Sequence, residues 1–312
     1  MPSLRDRFRG CLLGLAVGDA LGGRFEAQSA DHIRQRFPDV RSLVDSVDGE
    51  IWYTDDTQMA IGVAETLIDC GSISESRLCR AFAENYVPSR GYGRGTRAVI
   101  EAMEDGRDHT AIAQRYFPGG SLGNGAAMRV APVGLLFCRD RNRLWEQARQ
   151  SALPTHIHPL GIEGAQLLAL AVSCCAAAGQ LNQAEYFDTL AAACATAEFR
   201  ERIARASRIA SPDELPTLGN GIEAIESVPT AISSFALSPD SYADAIGHAI
   251  LLGGDTDTLA AMAGALSGAY LGLDAIPQPL LSALESSPKG RDFLLNLADR
   301  LYEIHLAASA ET

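Results

Sequence analysis

Apolar residues recur at three- and four-residue spacing along almost the whole chain, and this period constrains the fold more than any other feature. In LRDRFRGCLLGLAVGDALG they fall at Leu4, Phe8, Leu12, Leu15 and Ala16. In TQMAIGVAETLIDCG they fall at Met59, Ile61, Val63, Ala64, Leu67 and Ile68, with Gly71 as the stop. ESRLCRAFAENYV, LGIEGAQLLALAVSCCAAAG, QAEYFDTLAAACA, SYADAIGHAILLGG, DTLAAMAGALSGAYLG and GRDFLLNLADRLYEIHLAA repeat the pattern. Residues three and four apart share a helix face, and Gly, Asn and Pro stand where helices must end. Alternating strand patterns are rare, and VGLLFC (133–138) reads as easily as helix. The expectation is an all-α fold of roughly ten or more helices. Aromatic residues make up only 6% of the chain, and a core of small side chains implies helices packed closely together. No charged linker, low-complexity tract or fixed-period repeat divides the sequence, so residues 1–312 read as a single compact domain. The Pro- and Gly-rich stretch IASPDELPTLGNGIEAIESVPTAISSF (209–235) is the candidate loop excursion, but apolar content continues through it.

Charge and cysteine usage narrow the function classes. The 39 acidic and 26 basic side chains leave a formal net charge of -13. General binding to nucleic acid or anionic membrane needs clustered Lys and Arg, so neither is expected, although a local basic pocket remains open. The seven cysteines (Cys11, Cys70, Cys79, Cys138, Cys174, Cys175, Cys194) are odd in number and show no C-x-x-C spacing. That pattern suits buried free thiols in a reducing compartment. MPSLRDRFRG lacks the uninterrupted apolar region of a signal peptide. The longest uncharged stretch, 164–184, is interrupted by Gln, Ser and Asn and reads as a buried helix with its exit turn. A soluble cytoplasmic protein is expected.

Chemistry concentrates where Gly-rich turns carry polar residues. YTDDTQMA places Asp55 and Asp56 side by side at a helix start, and GGDTDT places Asp255, Asp257 and Thr258 at another. Either motif alone is an ordinary N-cap, since Thr and Asp favour that position and acids suit the first turn. If both helix starts face one cleft, four carboxylates converge, and only cations can offset that much like charge. The ligand set is all oxygen, with no His or Cys, which suits Mg²⁺ or Mn²⁺ and not zinc or copper. Four carboxylates are more than one Mg²⁺ usually takes, so two ions fit. GGSLGNGAAMR (119–129) allows close backbone approach and an anion nest, with Ser121 and Asn124 as side-chain donors. It is neither a Walker loop nor a Rossmann fingerprint. In THIHPLG, His156 and His158 face the same way only if the turn is extended. Glu26, in GRFEAQ, reads by itself as a solvated glutamate.

These motifs, in this order from about residue 8 to residue 272, resemble the ADP-ribosylglycohydrolase family: GCLLGLAVGDALGGRFEAQ, YTDDTQMA, SRGYGRGT, GSLGNGAAMRVAPVG, LPTHIHPLG and GGDTDTLAAMAGALSGAYLG. The resemblance implies an all-α orthogonal helical domain with a binuclear Mg²⁺ (or Mn²⁺) centre at the bottom of an ADP-ribose cleft. It places the metal ligands on Thr54, Asp55, Asp56, Asp255, Asp257 and Thr258. It places phosphate and ribose contacts on Gly120, Ser121, Leu122, Gly123 and Asn124, and a substrate-side histidine on His156. FEA and GGDTDT look most similar to the type-three ADP-ribosyl-acceptor hydrolases, which implies serine-linked ADP-ribose, its polymer or O-acetyl-ADP-ribose as substrate. In that branch a mobile glutamate matters for catalysis, and Glu26 matches its place, beside Asp55 and Asp56. The branch also carries an aromatic that stacks on adenine. Here that place is Leu122, and Phe117 or Tyr116 upstream would supply the stacking face. The implied partners are ADP-ribose and an ADP-ribosylated protein or small-molecule conjugate. The alternatives are an arginine-specific hydrolase, an Mg²⁺ hydrolase of a free conjugate, and a non-catalytic ADP-ribose-binding or crystallin-like member.

Overall fold

A computed structural model describes residues 1–310. Among these residues helix follows helix from Leu4 to Ala310, without strand or sheet. Only isolated bridges join loops, at Ser29 with Gly253, Ile51 with Leu284 and Gly123 with Glu223. VGLLFC falls in the helix Ala131–Leu136 and the turn after it. The Pro- and Gly-rich stretch is not a simple excursion. It forms a 3₁₀ turn, Pro212–Leu218, and then the helix Ala224–Leu237, which runs through Pro229.

The centre of the molecule is an antiparallel pair, the helix Leu4–Gly22 against Thr256–Leu271. Gly10, Gly14, Gly18 and Gly22 recur every fourth residue, so they form one stripe on one helix face. A Cβ at any of them would lie well inside 3 Å of a backbone carbonyl opposite: Gly268, Gly264, Ala260 and Thr256 in turn. The stripe is therefore a backbone-to-backbone contact, which explains the small-residue composition. Tyr242 donates its hydroxyl to the Gly14 carbonyl (2.6 Å), and Thr256 donates to that of Gly22 (2.9 Å).

Other helices cover this pair. Pro159–Ala177 is long and apolar enough to cross a membrane by length and composition, yet most of it is buried by its neighbours. Its buried Glu163 accepts from the N–H groups of Ala195 (2.7 Å) and Thr196 (3.1 Å), which meets the cost of burying a carboxylate. The helix Asp55–Cys70 begins at the N-cap Thr54 and ends at Gly71, whose φ of 67° is left-handed. It buries Met59, Ile61, Val63, Ala64 and Leu67.

Candidate functional site

The glycine stripe decides where the acids meet. Because the two central helices are antiparallel, the end of Leu4–Gly22 lies beside the start of Thr256–Leu271. The loop leaving the first helix is stitched to the turn entering the second. Ala27, at φ 62°, donates its N–H to the Gly254 carbonyl, and Gly254 donates to that of Gln28, both at 2.9 Å. Asn220 holds the same turn: its Nδ2 donates to the carbonyls of Leu252 (2.9 Å) and Gly253 (3.1 Å), and its carbonyl accepts from Asp255 N–H. As a result Glu26, Asp255 and Asp257 each present an oxygen within 4.8 Å of the others.

Asp19 brings in the second half. It is fully buried and sits one turn before the end of the first helix. It accepts from the N–H of Thr54 (2.9 Å), the N–H of Thr57 (3.0 Å) and the hydroxyl of Thr57 (2.5 Å). The start of the Asp55–Cys70 helix is thus anchored to the helix that leads into Glu26. Thr54 Oγ1 accepts from Asp56 N–H (3.4 Å), an N-cap bond.

Every carboxyl of the cluster is pushed upward. Burial is the main cause for Asp55, raised to about 7, with the charges of Asp19, Glu26 and Asp255 adding to it. Burial, then the charges of Asp255, Glu26 and Asp19, raise Asp257 to about 9. Burial raises Asp56 and Asp255 as well, and Asp56 also feels Asp19, Asp257, Asp55 and Asp255. Glu26 is raised by its partial burial and by Asp255. Asp19 rises to about 6 through burial, against the opposing pull of its Thr57 and Thr54 hydrogen bonds. Among the described residues no ion pair engages any of these acids. Asp56 Oδ2 is buried and has no hydrogen-bond partner among the described residues. An orphaned carboxylate oxygen among mutually repelling acids fits a hard divalent cation.

The glycine-rich loop abuts the cluster. Gly119 and Gly120 have φ of 85° and 97°. Asn124 donates from Nδ2 to Asp255 Oδ2 (2.5 Å), joining loop and acids directly. The expected anion nest is narrower than the turn. Gly120 N–H already goes to Phe117, Gly123 N–H to Ser121 Oγ and Asn124 N–H to Ile222. Among the described residues, the N–H groups of Ser121 and Leu122 have no protein acceptor. Leu122, Ile157 and Ile222 are exposed around the loop. Phe117 is half-buried and packs on Gly95, where a Cβ would come within 2.6 Å of its ring; Tyr116 is exposed. The two histidines part ways. His156 is buried with Nε2 toward Gly123 and Gly125, whereas His158 caps the next helix by accepting from Leu160 N–H (3.2 Å).

The sequence model of ADP-ribosylglycohydrolase matches residues 1–310. The chain belongs to the ADP-ribosylglycohydrolase family. It is therefore a glycosidic-bond hydrolase. ADP-ribosylhydrolase ARH3 of Danio rerio is 34% identical, over 96% of this chain and 91% of that protein. The Homo sapiens ARH3 is 33% identical, over 96% and 94%. The ADP-ribosyl-[dinitrogen reductase] glycohydrolase of Rhodospirillum rubrum is 28% identical, over 91% and 92%. A solved ADP-ribosylglycohydrolase-related protein complex superposes with a TM-score of 0.71 at 26% identity, covering 98% of this chain and all of that one. In this ADP-ribosylglycohydrolase, motif inspection alone passes over Asp19 and Asn220. An acid inside the apolar stretch LLGLAVGDALGG is a signal for the first; nothing local marks the second.

Proposed function

We propose that the chain hydrolyses the C1 bond of serine-linked ADP-ribose or a related conjugate, releasing ADP-ribose, with two Mg²⁺ (or Mn²⁺) as cofactors. The observation that carries this reading is the cluster of Glu26, Asp255 and Asp257, together with the buried Asp56, which feels the charges of Asp257 and Asp255 and whose Oδ2 has no partner among the described residues. Thr54, Asp55, Asp56, Asp255, Asp257 and Thr258 would hold the ions, which when bound would polarise the ribose hydroxyls and a water. The serine preference rests on the likeness of FEA and GGDTDT to the type-three branch, and relatives named ADP-ribosylhydrolase ARH3 support it.

Within this reading the chain's own groups divide the work. Ser121 and Leu122 N–H, with Asn124 Nδ2, line the diphosphate. The exposed Leu122, Ile157 and Ile222 give the base an apolar face, with Phe117 behind them. Glu26, on the stitched loop, takes the proton of the attacking water. The water oxygen bonds to C1, the C1–acceptor bond breaks, and the acceptor oxygen leaves with a proton. Which groups touch substrate separates binding from chemistry, so Glu26→Ala should lower turnover by roughly a hundredfold or more. Its ADP-ribose affinity, read by calorimetry, should stay near wild type.

The direct test is ADP-ribose release from serine-modified and arginine-modified peptides, before and after EDTA. Release from the serine peptide should vanish with EDTA and return with Mg²⁺. Release unaffected by EDTA would refute the metal reading, and preference for the arginine peptide would refute the linkage.

A further inference from the structure

We infer that Arg129 and Thr155 lock His156 in one neutral tautomer, with its proton on Nε2, making the ring a fixed hydrogen-bond donor to a ligand oxygen in the Gly120–Asn124 loop. The ligand half of this inference rests on the function proposed above; the tautomer half does not.

The argument is a count of donors and acceptors. Arg129 is fully buried, and a guanidinium can only donate. Its Nη2 donates to the Ser151 carbonyl (2.9 Å) and to Thr155 Oγ1 (2.8 Å). Thr155 Oγ1 therefore accepts, and its single hydroxyl proton must go to another group. Two acceptors are near: His156 Nδ1 at 2.7 Å and the Ala152 carbonyl at 3.5 Å. The Ala152 carbonyl already accepts from the N–H of Thr155 (3.0 Å) and of His156 (2.8 Å), which occupies both its lone pairs. The hydroxyl proton is left to Nδ1. A nitrogen that accepts is bare, so in the neutral ring the proton sits on Nε2.

Arg129 also keeps the ring neutral. Among the described residues no carboxylate pairs with it; its other contacts are the Phe82 ring, 4.8 Å from Cζ to centroid, and Met59 Sδ at 3.8 Å. Burial, and then the Arg129 charge, push His156 down to about 3. The face that Nε2 meets has been left open. A Cβ built on Gly125 would stand 3.4 Å from it, and one on Gly123 3.6 Å. Among the described residues nothing accepts from Nε2. Arg129 and Thr155 are thus positioning residues. They touch no ligand and act through the histidine.

The test uses the full chain labelled with ¹⁵N-histidine. Multiple-bond ¹H–¹⁵N spectra of wild type should show one ring with bare Nδ1 and protonated Nε2, assigned by its loss in His156→Gln. Thr155→Ser keeps the hydroxyl and should keep both the tautomer and the affinity. Thr155→Val removes the hydroxyl at similar volume and should release the tautomer. With Mg²⁺ present, its Kd for ADP-ribose should rise about tenfold, or 1.4 kcal/mol. A wild-type ring protonated on Nδ1 overturns the lock whether or not the valine variant folds. A released tautomer with unchanged Kd overturns the donor role. If wild type binds no ADP-ribose, the proposed function fails, and the spectra still decide the lock.

Discussion

Asp257→Asn is expected to lower ADP-ribose release by about a thousandfold or more, a loss of roughly 4 kcal/mol of transition-state stabilisation. The same substitution should raise the thermal midpoint of the metal-stripped protein by about 2–4 °C. Both effects follow from one geometry. Asp257 shares a 4.8 Å cluster with Glu26 and Asp255, and burial with their charges lifts it to about 9. Near neutral pH and without cations, the fold must either bury repelling charge or hold protons it would lose in water. Asparagine removes that cost and still accepts from Thr258 N–H, as Asp257 Oδ1 does at 2.9 Å. It loses the charge a divalent ion needs.

The sign of the pH dependence follows from the same shifts. A carboxyl raised above its ordinary 3.8 favours the fold while protonated. Its contribution is full below 3.8 and is lost as pH rises through its folded value, about 7 for Asp55 and about 9 for Asp257. The midpoint of metal-free wild type should therefore fall as pH climbs toward 9, and Asp257→Asn or added Mg²⁺ should flatten the fall. Scanning fluorimetry across pH, with rates on serine-modified peptide, checks the whole set. A variant less stable than wild type without metal would refute the mutually repelling cluster.

How much of this site was legible depended on how local each signal is. Thr54, Asp55 and Asp56 announce themselves because an N-cap and its first turn are written in adjacent residues. Asp255 and Asp257 do so for the same reason, and the all-α fold was readable because helical period is also local. Asp19 was not, because its partners Thr54 and Thr57 lie 35 and 38 residues away. Its only trace is an acid among apolar neighbours. The loop at Gly120–Asn124 was recognisable as a tight turn, but its unengaged N–H groups were not. Which N–H groups stay free depends partly on Ile222, about a hundred residues on, whose carbonyl accepts from Asn124 N–H and removes it from the set. Pro229 is locally a helix breaker, yet the apolar content that continues through its stretch becomes the buried face from Val228 to Ala236, which carries the helix through it.

Gly18→Ala should cost about 3 kcal/mol or more, at or beyond the upper end of ordinary overpacking, because a rigid carbonyl and not a side chain is in the way. The new Cβ would stand well inside 3 Å of the Ala260 carbonyl, so the two central helices must part. That shift should appear as a drop of about 5 °C or more in thermal midpoint. Gly93→Ala, whose added Cβ meets nothing within 4 Å, should change stability by less than about 1 kcal/mol. The stripe also sets the gap between the loop bearing Glu26 and the turn bearing Asp255 and Asp257, so Mg²⁺ affinity should fall with stability, by about 10–100-fold. The two losses can be separated along the helix. Gly10 lies at the far end, against Gly268 and Gly272. Gly10→Ala should therefore lower the midpoint and spare most of the metal affinity, whereas Gly18→Ala, beside Asp19, loses both. Equal affinity losses from the two, by calorimetry with Mg²⁺, would mean the stripe acts only on the core and does not set the spacing of the acids.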